Sequence, residues 1–156
     1  MKALKIVCVL ALMASLCLPG FAIEEKRTAK IISLDGNAQV KRTGQVSWEP
    51  AEVGMTLAEG DIIKTKNGSW ALVNVDGKGQ VATIEVKENS QLLFSELLVD
   101  QAKRTEKTLL DLAVGEILIK AQKVHGEESK FEVKTPTSIV GVRGTTFAVK
   151  VETIDE

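Results

Sequence analysis

Apolar and polar residues alternate along most of the chain after residue 22, in short runs separated by turn residues. Ala38 to Lys41, Trp70 to Val75 and Lys130 to Lys134 show this alternation clearly. A period of two residues is typical of strands with one buried face. No long segment beyond residue 22 has the 3.6-residue period of a helix. The pattern therefore predicts an all-β fold, a single compact domain of short strands that is twisted and β-solenoid-like or sandwich-like.

Eleven segments are predicted to be strands. They are Lys30–Leu34, Ala38–Lys41, Val46–Trp48, Ile62–Thr65, Trp70–Val75, Val81–Val86, Gln91–Val99, Thr108–Leu112, Ile117–Ile119, Lys130–Lys134 and Thr146–Val151. Asp35-Gly36, Asn67-Gly68 and Asp76-Gly77 are pairs that favour tight hairpin turns, because both residue types tolerate a positive φ. The polar stretch Asp100–Lys107 is predicted to be an exposed hairpin loop.

One internal similarity is present. Leu57–Lys64 resembles Leu112–Leu118, each with a glycine three positions after the leucine, then an acidic residue and a β-branched residue. Two interpretations stay open: any turn that leads into a strand has this composition, or two rungs of a solenoid-like structure share one type of corner.

The first 22 residues have the layout of a secretory signal peptide, predicted to form a helix. Lys2 and Lys5 precede an apolar run, Ile6 to Leu18, and cleavage is expected after Ala22. The run is shorter than the ~20 residues of a membrane-spanning helix, so no retained membrane anchor is expected. A lipoprotein anchored through Cys17 is the alternative, which the residue before Cys17 disfavours because it is a leucine and not a small residue. The predicted organisation is a signal peptide at 1–22 and one β domain at 23–156, with its core at about 31–151.

Removal of that segment changes the composition. Both cysteines, Cys8 and Cys17, would be lost, so the mature chain would have no disulfide, thiolate metal site or cysteine nucleophile. The formal net charge would change from −1 to −3, because two lysines and no acidic residue are removed. No block of basic residues is present, so nucleic acid is not an expected partner.

Residues suited to catalysis are sparse. His125 is the only histidine, in a polar turn, and a metal site would need partners at fixed spacing. The adjacent acid pairs, such as Glu127-Glu128, lie in loops or at the termini and are interpreted as solubilising charge. The sequence therefore predicts neither an enzyme nor a bound metal or cofactor.

Several motifs occur in an order and spacing that resemble one family, the FecR domain. The segments that carry the resemblance are Gly36–Val40, Trp48–Ala51, Gly60–Thr65, Gly68–Ala71, Phe131–Pro136 and Val140–Phe147. The resemblance implies an all-β periplasmic domain, which in the iron-uptake regulators passes a signal from an outer-membrane receptor to a cytoplasmic anti-sigma segment. Since only a few residues precede the hydrophobic run, we expect a stand-alone extracytoplasmic module and not a direct anti-sigma regulator.

Two functions from different classes follow as hypotheses. The first is a periplasmic or secreted module that binds an envelope protein partner or takes part in envelope signalling. The second is a module that binds carbohydrate or peptidoglycan through an exposed tryptophan. An envelope enzyme is a third and weaker hypothesis.

The candidate binding or structural residues belong to the FecR-like motifs. They are Trp48, Asp61, Thr135, Pro136, Arg143, Gly144 and Thr145. Two roles are open for Arg143: it binds a carboxylate of a partner or, as we favour, it pairs with an internal acid such as Asp61. In the second case Gly144 adopts a backbone conformation that other residues cannot adopt. Trp48 and Trp70 are both expected in the core, with Trp48 the better candidate for partial exposure and for stacking on a sugar or a partner chain.

Overall fold

The structure, a computed structural model, describes residues 24–76, 82–121, 129–142, 144 and 146–152. In these ranges the chain forms thirteen strands and no helix. The strands are β1 (Glu24–Lys26), β2 (Ala29–Asp35), β3 (Ala38–Lys41), β4 (Glu49–Pro50), β5 (Thr56–Leu57), β6 (Ile62–Thr65), β7 (Trp70–Val75), β8 (Ala82–Val86), β9 (Gln91–Asp100), β10 (Thr105–Ala121), β11 (Lys130–Lys134), β12 (Ile139–Val142) and β13 (Thr146–Val151). The all-β prediction is confirmed.

The strands belong to one curled, largely antiparallel sheet with the shape of a half-barrel, ordered β4-β3-β6-β9-β10-β8-β7-β2-β5. Strand β10 divides it into two halves. The first part of β10 pairs with β9 and, in parallel, with β11, whereas its last part pairs with β8 and β13. We call the β9 side, with β1, β3, β4, β6, β11 and β12, half A, and the β8 side, with β2, β5, β7 and β13, half B.

Four neighbouring lengths of chain cross from one half to the other along a common line of corners. Three crossings are the connections β2–β3, β6–β7 and β8–β9, and the fourth is the middle of β10 at Gly115, where φ is 97°. Hydrogen bonds join successive corners: the Lys66 amide donates to the Asn37 carbonyl at 3.0 Å, and the Glu116 amide donates to Ser90 Oγ at 2.9 Å. This stack of corners bends the antiparallel sheet into its half-barrel shape, so the predicted solenoid-like stacking of parallel rungs is not what the described strands form.

The core fills the space between the two halves. Half A contributes Ile63, Leu92 and Phe94, and half B contributes Val73 and Ile84, each fully buried within one continuous cluster. These residues occupy every second strand position, so period-two alternation places them on one face. Burying each large side chain contributes about 1.5–3 kcal/mol, and this core is the main source of stability for the described residues, which include no cysteine.

Most predicted strands are confirmed, some of them to the residue, such as β7 and β11. Three predictions are wrong. Val46–Trp48 is not a strand, because pairing with β3 begins only at Glu49. Thr108–Leu112 and Ile117–Ile119 are parts of a single strand, β10. The loop predicted at Asp100–Lys107 is only a four-residue turn, because β10 already pairs with β9 from Thr105.

Two of the predicted hairpin turns are corners. Asp35-Gly36 and Asn67-Gly68 do have glycines with positive φ, 77° and 65°, but the strands they connect pair with other neighbours. Strands β7 and β8 form the hairpin that was predicted at Asp76-Gly77, with Val75 opposite Ala82. The predicted signal peptide, His125 and Glu127-Glu128 lie outside the described residues. Nothing in the described ranges has the length and hydrophobicity of a helix that could span a membrane.

Candidate functional site

The motif residues Thr135 and Pro136 form the turn that places β12 beside β11. Thr135 is buried, and its amide donates to the Ser138 carbonyl at 2.8 Å, while the Ser138 amide donates to Thr135 Oγ1 at 3.1 Å. Pro136 is exposed at the tip. The turn sets the register in which Lys134 lies opposite Ile139, so these two residues position the strand that follows.

Strand β12 is an edge strand with apolar residues open to solvent. Among the described residues it pairs only with β11. Ile139 points away from the core and is 64% exposed, while Val140 lies opposite the buried Val133 but is still 38% exposed because no strand lies beyond it. Gly141 is on the outer face with open space around it. The four residues Ile-Val-Gly-Val thus present an uncharged backbone edge.

The other edges of the described sheet carry features that discourage pairing. Strand β4 has two residues and ends in Pro50, and β5 also has two residues. Strand β1 consists of charged residues, and β13 carries Lys150, which forms an ion pair with Glu152 at 2.6 Å. Short length, proline and charge are the usual means by which sheet edges avoid unwanted partners. Strand β12 has four residues, and none of them is charged or a proline.

Asp61, directly before β6, is the acceptor at the centre of a hydrogen-bond network. It is 3% exposed and accepts three hydrogen bonds, from Arg42 Nη1 at 2.9 Å, the Thr43 amide at 2.9 Å and the Ala58 amide at 3.0 Å. Arg42 also donates through Nε to Glu49 at 2.7 Å. Partial burial alone would lower the pKa of Arg42, but its hydrogen bonds to Asp61 and Glu49 raise that pKa above its usual value. The network fixes the segment between β3 and β6.

Trp48 lies beside this network, partly exposed and bordered by two lysines. The ammonium nitrogens of Lys41 and Lys64 lie 5.5 Å and 5.8 Å from its ring centroid. The expectation that both tryptophans belong to the core is wrong, because Trp48 and Trp70 are each half-buried and neither joins the hydrophobic cluster. Trp48 is therefore partly open to solvent, the possibility that the sequence had left as the alternative to a core position.

Comparison with known families identifies the chain. The family model described as FecR protein matches residues 61–155. The chain belongs to the FecR family. No curated protein and no solved structure matches it. The matched range begins at Asp61 and includes β12, whereas Trp48 and the Gly36–Val40 segment, which also resemble the family, lie before it.

The family's final motif leads from half A to half B. It begins in β12 and ends in β13, and Gly144 between these strands has a φ of 71°, the left-handed conformation expected for that glycine. Arg143 and Thr145 lie outside the described residues. The proposed pairing of Arg143 with Asp61 stays a prediction, and Asp61 also has a described partner in Arg42.

Sequence reasoning did not single out Arg27, which is 7% exposed. Its guanidinium lies 3.2 Å from Asp76 and 3.8 Å from Glu106, and Nη2 donates to Thr108 Oγ1 at 2.6 Å and to the Lys107 carbonyl at 2.9 Å. It ties the start of β2 to the β7–β8 and β9–β10 hairpins. A single arginine in a polar stretch gives no sign of burial, because its partners are distant in sequence.

No set of three or more histidine, cysteine, aspartate or glutamate side chains suited to holding a metal ion occurs in the described ranges. The closest charged groups are opposite charges that neutralise one another, as Arg42 does with Asp61. The described geometry therefore offers surfaces for binding: the β12 edge and the face around Trp48.

Proposed function

We propose that this FecR-family chain is an exported, non-enzymatic module that binds an envelope protein partner through the free edge of β12. The family is a signalling and regulatory one, which supports a role in recognition. The observation that carries the proposal is the uncharged, exposed edge Ile139–Val142, located inside the family's matched range while the other described edges are protected. The sequence of residues 1–22 supports export to the periplasm or beyond, since it has the layout of a signal peptide.

The chemistry of this edge defines the partner. An edge strand recognises an extended segment, which adds a further strand through main-chain hydrogen bonds while alternate side chains supply specificity. Here the added strand would cover Val140 on the core side and pass beside Ile139 on the outer side. The fitting partner is an extended, β-branched or aromatic segment with no charge in its central residues.

Photo-crosslinking tests this function. A photoreactive residue at position 139 is expected to capture one defined envelope protein, while the same residue at Val53, a loop position that is 61% exposed, captures none. Excess purified domain should compete for the captured partner. Excess domain with the double substitution I139K/G141K should not, because charges on an edge strand oppose pairing.

The double substitution is suited to this purpose because both positions face solvent and Gly141 has room for a side chain. The control V46K/V53K also places two lysines at exposed positions, but in loops away from the edge. Competition by I139K/G141K equal to that by V46K/V53K would refute the assignment of β12. Turnover of an envelope substrate by the purified domain would refute the non-enzymatic role.

A further inference from the structure

The outer face of half A carries two cations around one aromatic ring. Lys41 and Lys64 lie on adjacent strands, and both ammonium groups lie within 6 Å of the Trp48 ring centroid, at 5.5 Å and 5.8 Å. Their strand neighbours Val40 and Ile63 are fully buried, so alternation directs both lysines outward. An indole attracts ammonium groups through its quadrupole and so keeps both of them at this place on the surface.

Two amide side chains continue the same face. Gln39 lies opposite Lys64 on one side, and Gln91 lies opposite it on the other. Both glutamines alternate with buried residues, Ala38 and Leu92, and therefore also point outward. The row crosses three strands, a span of ~10 Å at the usual spacing between strands. The surface around Trp48 thus combines two ammonium groups, two amides and one indole, and we call it the Trp48 face.

The two lysines of this face, Lys41 and Lys64, form no ion pair with any described residue. The nearby Glu49 carboxylate is engaged by Arg42 at 2.7 Å. Two like charges held at one ring repel each other, and a bound anion would remove that repulsion. The charge pattern therefore favours a ligand that carries carboxylate or other anionic groups.

The position of this face within the sheet selects the class of anionic ligand. Strand β3 is paired on both sides, with β4 and β6, so an extended peptide cannot add to it through its backbone. Amide side chains and an indole beside the cations are groups that hydrogen-bond to hydroxyls and contact the apolar faces of sugar rings. We propose that the Trp48 face binds an anionic glycan, a sugar chain with carboxylate groups, as a site separate from the protein-binding edge of β12.

Fluorescence titration of the mature domain, residues 23–156, tests this site with oligogalacturonate as the probe. Trp70 is first replaced by phenylalanine, so that Trp48 is the only tryptophan. We expect saturable quenching or a shift of Trp48 emission, weakened by added salt. The double substitution K41Q/K64Q should reduce the affinity about tenfold, which corresponds to two modest charge contacts.

The matched control is K30Q/K120Q. Both residues are exposed, lie on the outer face of half B and carry the same total charge. This control should bind the probe as the parent does. An equal loss in both double variants would show a non-specific charge effect and overturn the proposal.

Three further outcomes also decide against it. Binding of a neutral oligosaccharide with the same affinity would remove the role of the lysines. Equally tight binding of polyglutamate, or of vesicles of anionic phospholipid, would show that the ligand is an acidic peptide or a membrane surface and not a glycan.

The variant I139K/G141K should keep full probe affinity, so failure of the glycan site and failure of the protein-binding edge give different results.

Discussion

Replacing Asp61 by alanine tests the claim that this motif residue is structural. The substitution leaves three donors without their acceptor: the amides of Thr43 and Ala58 and the guanidinium of Arg42. Each unsatisfied and partly buried amide costs about 1–2 kcal/mol. The Arg42 side chain is 30% exposed and regains water, so its share is smaller. We expect a loss of about 3 kcal/mol in the free energy of unfolding, or roughly 10 °C in Tm for a domain of this size.

Urea and thermal unfolding of the mature domain, followed by circular dichroism, measure the effect. Glu49→Gln is the matched control, because Glu49 also bonds to Arg42 but its side chain is 45% exposed. That change should cost less than about 1 kcal/mol. A free energy of unfolding for Asp61→Ala within 1 kcal/mol of the parent would refute the reasoning, since the three hydrogen bonds would then contribute nothing net.

The same residue decides between two cationic partners. A double-mutant cycle between Asp61→Asn and Arg42→Ala should give a coupling of about 1–3 kcal/mol, because the two side chains are in contact at 2.9 Å. Arg143→Ala should also lower Tm if Arg143 is structural, and its cycle with Asp61→Asn measures whether the two residues pair. An unchanged Tm for Arg143→Ala would exclude the structural role and leave Arg143 as a recognition residue.

Three further changes have defined expectations. Gly115→Ala should cost about 3 kcal/mol or more in the free energy of unfolding, or prevent folding, because the added methyl group would meet the backbone of Ser90 at the adjacent corner. Gly68→Ala has open space around it and should cost only about 1–2 kcal/mol of backbone strain. Equal losses for the two variants in urea unfolding would contradict this prediction. Arg27→Met should cost about 2–3 kcal/mol, because it removes the hydrogen bonds of a buried guanidinium and leaves the partly exposed carboxylates of Asp76 and Glu106 without that cation; a stability equal to the parent's would show that the buried arginine charge is dispensable. The hydrogen bond from Lys150 lowers the pKa of Glu152 below its usual 4.5, so its contribution is present above pH 4.5 and is lost as the pH falls through the lowered value; Lys150→Gln should return the NMR titration midpoint towards 4.5, and no change would refute the pairing.

The strands could be predicted from sequence because burial on one face imposes a period of two. Strands β7 and β11 alternate without interruption, and their bounds were predicted to the residue. The corners could not be predicted, since a hairpin and a corner both need a residue with positive φ, as Gly68 shows. In a hairpin the two connected strands pair with each other, whereas at a corner each pairs with other strands. Which strands pair depends on contacts between residues far apart in the chain. For the same reason β10 was predicted as two strands, although the glycine in its middle bends it without ending it.

The candidate site was predictable only in part. Asp61 was singled out by its motif, and an internal partner was expected. Its contact with Arg42, nineteen positions earlier, depends on the path of an intervening segment that contains only the two-residue strands β4 and β5 and has no periodic signal. The exposed edge at Ile139 was not predicted, because an apolar β-branched run has the same composition on an edge as in the centre of a sheet. The lysines around Trp48 are neighbours because of the register in which β3 pairs with β6. That register could not be predicted from the sequence.

The positions of the two proposed sites indicate that they are independent. Strand β12 and strand β3 are separated by β11, β10, β9 and β6 in half A. Five spacings between strands amount to ~24 Å along the curled sheet, more than a Debye length of about 8 Å at physiological salt. A glycan on the Trp48 face and a strand added to β12 would therefore neither collide nor repel each other strongly. We expect saturating oligogalacturonate to leave crosslinking from position 139 unchanged. If the probe suppressed that crosslinking, the two ligands would have to share a surface, and the assignment of separate sites would be wrong.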